Sequence, residues 1–286
     1  MRAFSLVPAG RISPADRAHL INRAYADYYV PMHLTAEQMV VIDRCYDIDL
    51  EQSVVAMASR KVIGMALLAR RGRTGWISGV GVAPEHRRKG VGRAMIGRLQ
   101  ENATAVGVDE ISLEVIVQNT AARQLCAGLG FQETRELLVW RRPIESDALP
   151  IPAERLAPAD PMSLLDICNQ WRDRSAPWQR APATLAHMAA SGRLQGYRLD
   201  RGDGPVACCL VSGHGDTLSL MDVAIDPTTD IATPARVLLQ ALAHVHRGRA
   251  MAISNVPADD PLNRVLAALR FLVTVRQMEM KWRRTT

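Results

Sequence analysis

The sequence predicts an α/β protein built as two tandem copies of one unit, residues 1–143 and 144–286. Three observations predict it. Helical and strand periodicities alternate along the chain. The order of elements in the first half recurs in the second: "GVGVAP" at 79–84 matches "DVAIDP" at 222–227, and "WRR" at 140–142 matches "WRR" at 282–284, at offsets of 143 and 142. Between the halves, "RRPIESDALPIPAERLAPADP" at 141–161 holds five prolines and little periodicity. That stretch reads as a linker or the start of a new domain.

Each element has its own signal. "SPADRAHLINRAYADYY" opens with Ser13 as a cap and Pro14 at the first helical position, which starts a helix. "AEQMVVIDRCY" follows as a short helix capped by Thr35. "SVVAMAS" and "VIGMALLAR" read as strands that turn near Arg60 and Lys61, and "GWISGVGVA" as a third strand. "VGRAMIGRLQENATAV" places Val91, Met95, Leu99, Ala103 and Val106 on one helical face. "EISLEVIV" is a strand, "NTAARQLCAGL" a helix and "RELLVWRR" a strand.

In the second half "YRLDR", "PVACCLVSG" and "TLSLMDVAIDP" read as strands, "PARVLLQALAHVHR" as a helix and "AMAISNV" as a strand. "DPLNRVLAALRF" is a helix and "VTVRQMEMKWRR" the last strand.

Composition narrows the function classes. Hydrophobic residues are 48% and charged residues 22% of 286, enough for packed cores. No apolar run approaches the roughly 18–20 residues of a membrane helix. "MRAFSLVPAG" lacks the apolar core of a signal peptide. The expectation is a cytoplasmic protein, away from membranes. Cys45, Cys126, Cys168, Cys208 and Cys209 form no metal spacing and read as reduced, buried thiols. His214, His244 and His246 show no ligand spacing either, so no metal is expected. Residues 1–143 carry 19 Lys+Arg against 14 Asp+Glu, whereas residues 144–286 carry 16 against 15. A basic excess in the first half suits a polyanionic ligand. No basic stripe interleaved with aromatics is present, which argues against nucleic acid.

The chemistry concentrates in "GVGVAPEHRRKGVG" at 79–92. A strand, a short basic loop, glycine and a helix point backbone amides at one spot. A helix N-terminus with unpaired amides binds anions such as pyrophosphate. Gly90 and Gly92 let phosphate approach the backbone, while Arg87, Arg88 and Lys89 supply charge. The loop has neither the GK[ST] ending of a triphosphate loop nor GxGxxG. A solvated surface turn is the alternative.

Here the sequence resembles the GCN5-related N-acetyltransferase (GNAT) superfamily. "RRKGVG" at 87–92 matches its (Q/R)xxGx(G/A) loop through Arg87, Gly90 and Gly92. "LEVIVQNTAARQLCAGLGF" at 113–131 resembles its LEVxxxNxxAxxLYxxLGF pattern through Asn119, Ala122, Leu125, Gly130 and Phe131. The resemblance implies two GNAT-like domains, each a central mixed β-sheet flanked by helices, and acetyl-CoA as co-substrate. It implies that the pantetheine arm runs along Val80, Gly81 and Val82. It sets the pyrophosphate among Arg87, Arg88, Lys89, Gly90, Val91, Gly92 and Arg93, with Asn119 bonding the arm near the thioester.

The implied reaction is direct acetyl transfer to a primary amine. It needs a base for the amine, a donor for the oxyanion and an acid for the leaving thiolate. In the branch that acetylates ribosomal-protein N-termini, the Glu of "LEV" resembles the base and the Tyr of "LY" the acid. Glu114 stands at the first position, on a strand face with Ser112 and Ile116, and an outward structural carboxylate is its alternative. Cys126 replaces the tyrosine, as a weaker acid or as a small core residue. Tyr28, Tyr29 and His33, in "YADYYVPMH", border the acceptor region in this resemblance, with Tyr29 a candidate catalytic group.

In the second half "DPTTDIATPAR" at 226–236 has no glycine pair and no basic cluster, and Asp226 and Asp230 repel phosphate. That half is expected not to bind coenzyme A and to complete the acceptor pocket or an interface. The acceptor is expected to be a small-molecule or peptide amine, and the protein a monomer or homodimer. The competing reading is a catalytically silent coenzyme-A-binding sensor or interaction protein.

Overall fold

The computed structural model describes residues 4–30, 32–144, 156–172, 175–202 and 204–284. It divides into two compact units, Met1–Thr134 with Met278–Thr286, and Arg135–Gln277. The contiguous halves expected at 1–143 and 144–286 differ from these units at their ends: residues 135–143 fall in the second unit and residues 278–286 in the first.

The first unit runs β1 (Ser5–Pro8), α1 (Pro14–Ala24), α2 (Ala36–Cys45), β2 (Val54–Ala58), β3 (Lys61–Arg71), β4 (Thr74–Val82), α3 (Val91–Ala105), β5 (Glu110–Ile116), α4 (Thr120–Ala127) and the start of β6 (Gln132–Arg142). Strands β1 to β4 pair antiparallel in sequence order, and β5 joins β4 in parallel. The sheet is mixed, as expected. The Ser13 side chain accepts from Asp16 N–H, and Thr35 with Gln38 forms a reciprocal capping box. The first helix stops at Ala24, short of the tyrosines at 28 and 29.

One face of this sheet packs Val91, Met95, Ile96, Leu99 and Ala103 of α3 against Ile63, Ala66, Leu68 and Ile77. The other packs Ala18, Leu20 and Ile21 of α1 against Val55, Met65 and Leu67. Alternation along β3 sends its neighbours to opposite faces.

The second unit continues with β7 (Leu156–Ala159), α5 (Pro161–Gln170), α6 (Pro182–Ala190), β8 (Gln195–Arg201), β9 (Gly204–His214), β10 (Thr217–Ile225), α7 (Ala232–Val245), β11 (Ala250–Pro257), α8 (Leu262–Ala268) and β12 (Leu272–Arg283). Its strand order is β7-β8-β9-β10-β11-β6. Leu238, Leu239 and Leu242 of α7 pack with Leu262, Val265 and Leu266 of α8 on Ala207, Cys209, Leu218 and Met251. The end of β12 belongs to the first unit, where Lys281 and Arg283 bond Glu110 of β5.

The proline-rich stretch at 141–161 is not wholly a linker. Residues 141 and 142 lie in β6 and 156–159 form β7, which pairs with β8. Residues 145–155 lie outside the described residues. Pro161 and Pro182 open α5 and α6 at the first helical position, where a missing N–H costs nothing.

Candidate active site

In the first unit β4 and β5 are parallel partners over three residue pairs only, Thr74 with Glu110, Gly75 with Ile111 and Trp76 with Ser112. Beyond these the strands no longer pair. Leu67 faces Gly79 while Leu68 faces Ile77, so Ser78 is an extra residue in β4. Such a bulge bends a strand. Ala83 N–H donates to Ile63 O at 2.9 Å. Hydrogen-bonding direction alternates along an antiparallel strand. The backbone groups of Val80 and Val82 therefore point away from β3, towards the gap beside β5.

Three tyrosines after α1 span this gap. Tyr25 Oη donates to Val80 O of β4 at 3.1 Å. Tyr28 Oη accepts from Asn119 Nδ2 at 3.3 Å, and Tyr29 Oη donates to Gln118 O at 3.2 Å. Their rings pack edge to face, with centroids 4.9 Å and 5.3 Å apart. Burial pushes the Tyr25 phenol up to about 12 and raises Tyr28 as well. Tyr29 stays 58% exposed at the rim. Gly81 serves α1: a β-carbon there would lie 3.0 Å from Ala24 Cβ.

Glu114 sits at the inner end of the gap, where it accepts from Trp76 Nε1 at 2.8 Å. Trp76 stacks edge to face on Tyr46 at 5.6 Å. Cys126 lies elsewhere. It is 4% exposed, in the core with Leu113 and Val115, which alternate with Glu114 and face the other way along β5. Burial pushes its thiol up to about 11. The structure brings Glu114 and the tyrosines to the gap and leaves Cys126 as a packed core residue.

At the far end of β4, the loop leads into α3. Arg87 is committed to the fold. Its guanidinium holds both carboxylate oxygens of Asp27 at 2.7 and 2.8 Å, Ala24 O at 3.0 Å and Val82 O at 3.2 Å. The paired charge lowers the Asp27 carboxyl below its usual range. Arg88 and Lys89 are exposed, and Lys89 Nζ donates to Glu85 O at 2.8 Å. Gly90 takes φ +79°, a conformation only glycine adopts readily, and precedes α3 without any side-chain cap. The first amides of Val91, Gly92 and Arg93 are thus left to an external acceptor. A β-carbon on Gly90 would meet nothing within 4 Å, so the approach is open. Gly92 lies against Leu125, and Arg93 Nη1 donates to Gly128 O at 3.1 Å. These groups fit a pyrophosphate: open amides, a helix N-terminus and three cations within one turn.

Asn119 caps α4, accepting Ala122 N–H at 3.1 Å with Oδ1 while its Nδ2 turns to Tyr28. The signals for Tyr25, Asp27 and Trp76 were in the sequence only as residue types. Their partners are Val80, Arg87 and Glu114, 38 to 60 positions away. Among the described residues no group of His, Cys, Asp and Glu could hold a metal, and no helix is long and apolar enough to cross a membrane.

A splayed parallel pair, a bulged central strand and an uncapped glycine-opened helix agree with the fold that the GNAT resemblance implies. Residues 19–131 match the acetyltransferase (GNAT) family model and residues 156–253 match an acetyltransferase (GNAT) domain model. The chain belongs to the GNAT superfamily, in a tandem two-domain form. It is similar in fold to a GCN5-related N-acetyltransferase from Sphaerobacter thermophilus, at 14% identity and TM-score 0.74, covering 98% of this chain and 95% of that one. A tandem GNAT protein from the clavulanic acid biosynthesis pathway is similar at 17% identity and TM-score 0.71, covering 98% of each chain. A putative acetyltransferase from Pyrococcus horikoshii is similar at 14% identity and TM-score 0.68, covering all of this chain and 91% of that one.

Proposed function

We propose that the first unit transfers an acetyl group directly from acetyl-CoA to a primary amine of a small molecule or peptide. One observation carries this reading. The uncapped amides of α3 and the outward backbone groups of Val80 and Val82 lie at the two ends of one short path. A thioester on a pyrophosphate-bearing arm has that shape. Arg88, Lys89 and Arg93 neutralise the phosphates, and the amides of Val91 to Arg93 bond them. The N–H groups of Val80 and Val82, whose carbonyls already accept from Tyr25 and Arg87, hold the arm and supply a donor to the developing oxyanion.

Arg87 acts at one remove, by tying the loop to Asp27 and to the end of α1. Glu114 takes the proton of the attacking amine, directly or through water, and the indole of Trp76 orients its carboxylate.

The test is release of free thiol from acetyl-CoA in the presence of a panel of primary amines. Glu114→Gln should cut the rate by about 100-fold, within the range of a positioned general base, and leave acetyl-CoA binding in place. The burial of Cys126 away from the gap favours a second reading, a coenzyme-A-binding protein without catalysis. Tight acetyl-CoA binding with no turnover on any amine supports that reading instead.

A further inference from the structure

This inference rests on the proposed acetyl transfer and concerns its leaving group. When the carbon–sulfur bond breaks, the departing thiolate needs a proton. Cys126 cannot give it at the gap, because it sits in the core behind β5. Three phenols of the segment after α1 reach the gap, while Tyr46 packs on Trp76 at its inner end. Tyr25 already spends its O–H on Val80 O, and Tyr29 spends its own on Gln118 O. Tyr28 differs, and the reason lies in a helix cap. Asn119 Oδ1 accepts the Ala122 amide at 3.1 Å, which fixes which end of the carboxamide faces outward. The outward end is the NH₂ group, and it donates to Tyr28 Oη at 3.3 Å. The Tyr28 oxygen is therefore an acceptor there, and its own proton is free to be donated.

We infer that Tyr28 is the proton donor to the leaving thiolate and that Asn119 is the residue that positions it. As the amine nitrogen bonds the acetyl carbon, the carbon–sulfur bond breaks and Tyr28 passes its proton to the sulfur. The amine nitrogen loses one proton, through Glu114 or solvent, and one proton returns to the Tyr28 phenolate. Atoms and charge balance without an added reagent.

The experiment pairs calorimetry of acetyl-CoA binding with thiol release on the best amine of the panel, for wild type, Tyr28→Phe, Asn119→Asp and Cys126→Ala. Tyr28→Phe should lower kcat by about 100-fold with little change in acetyl-CoA affinity. Asn119→Asp keeps a good helix cap but presents an acceptor to Tyr28, which then donates into the new carboxylate. Its kcat should fall by about tenfold or more while its melting temperature holds. In both variants the fall of kcat at high pH that marks a phenol as donor should be altered, which a purely structural change would not do.

A Tyr28→Phe variant with kcat within twofold of wild type overturns the proposal. So does a loss in Cys126→Ala that Tyr28→Phe does not share. Wild type that binds no acetyl-CoA overturns the acetyltransferase reading itself, and this inference with it.

Discussion

The β4–α3 junction of the first unit and the β10–α7 junction of the second are built alike and end differently. β10 pairs in parallel with β11 over three residue pairs, Thr217–Ser219 with Ala250–Ala252, as β4 does with β5. Met221 is an extra residue in β10, 143 positions after Ser78, the extra residue of β4. The backbone splay has been kept in both. What fills it has not. Gly79 in the first unit corresponds to Asp222 in the second. Asp222 is 2% exposed and ion-paired to Arg172 and to Arg180, the latter at 3.3 Å. Arg172 stands just past α5, much as Tyr25 stands just past α1.

The helix starts diverge in the same sense. α3 opens on Gly90 without a cap, whereas the Asp230 carboxylate accepts the amides of Ala232 and Thr233, each at 3.2 Å. Those bonds hold the Asp230 carboxyl below its usual range. The second unit thus supplies its own anion where the first leaves room for a ligand. The backbone shape is shared; the side chains of Asp222 and Asp230 are what set the two junctions apart.

The largest effect that would test this contrast is on stability. Asp222→Ala leaves two arginines without their carboxylate in a buried setting and should destabilise the protein by about 3–5 kcal/mol in chemical denaturation. A loss below about 1 kcal/mol would mean that the cluster is well solvated and not a structural plug.

Next in size is Tyr25→Phe, which removes the donor to Val80 O and should cost about 1 kcal/mol. The pH dependence carries a sign. Folding raises this phenol from 10.0 to about 12. Its contribution is full below pH 10, where both states are protonated, and is lost as pH rises from about 10 towards 12. Denaturation measured across that window should show less pH dependence in Tyr25→Phe than in wild type. Equal slopes would contradict the assignment.

The smallest effect is at Asp230. Removing its carboxylate by Asp230→Ala should lower the melting temperature slightly and should not create a second acetyl-CoA site. A second site would mean that the cap alone had closed this junction.

Much of the fold was legible because its signals are local. Ser13–Pro14, the Thr35 capping box and the alternation in β2 to β5 need only near neighbours. The loop from Arg87 to Gly92 was legible for the same reason. What escaped depends on distant partners. Nothing near Tyr28 in the chain announces Asn119, which lies 91 positions on. Arg87 read as a phosphate ligand because its partner, Asp27, lies 60 positions back. α5 escaped because its opening proline, Pro161, closes the proline-rich stretch at 141–161 and read as linker composition rather than as a helix start. The final strands, β6 and β12, read correctly as strands, yet no local pattern says that residues 135–142 of the one and 278–283 of the other fall in the other unit.

In the function proposed above, the junction of the first unit binds acetyl-CoA and that of the second does not. Calorimetric titration of acetyl-CoA into wild type and into Gly92→Glu tests it most directly. Wild type should show about one site per chain and Gly92→Glu none, because the new side chain starts against Leu125 and Val82 and brings bulk and negative charge to the first turn of α3. Two sites per chain, or binding that survives Gly92→Glu, would contradict it.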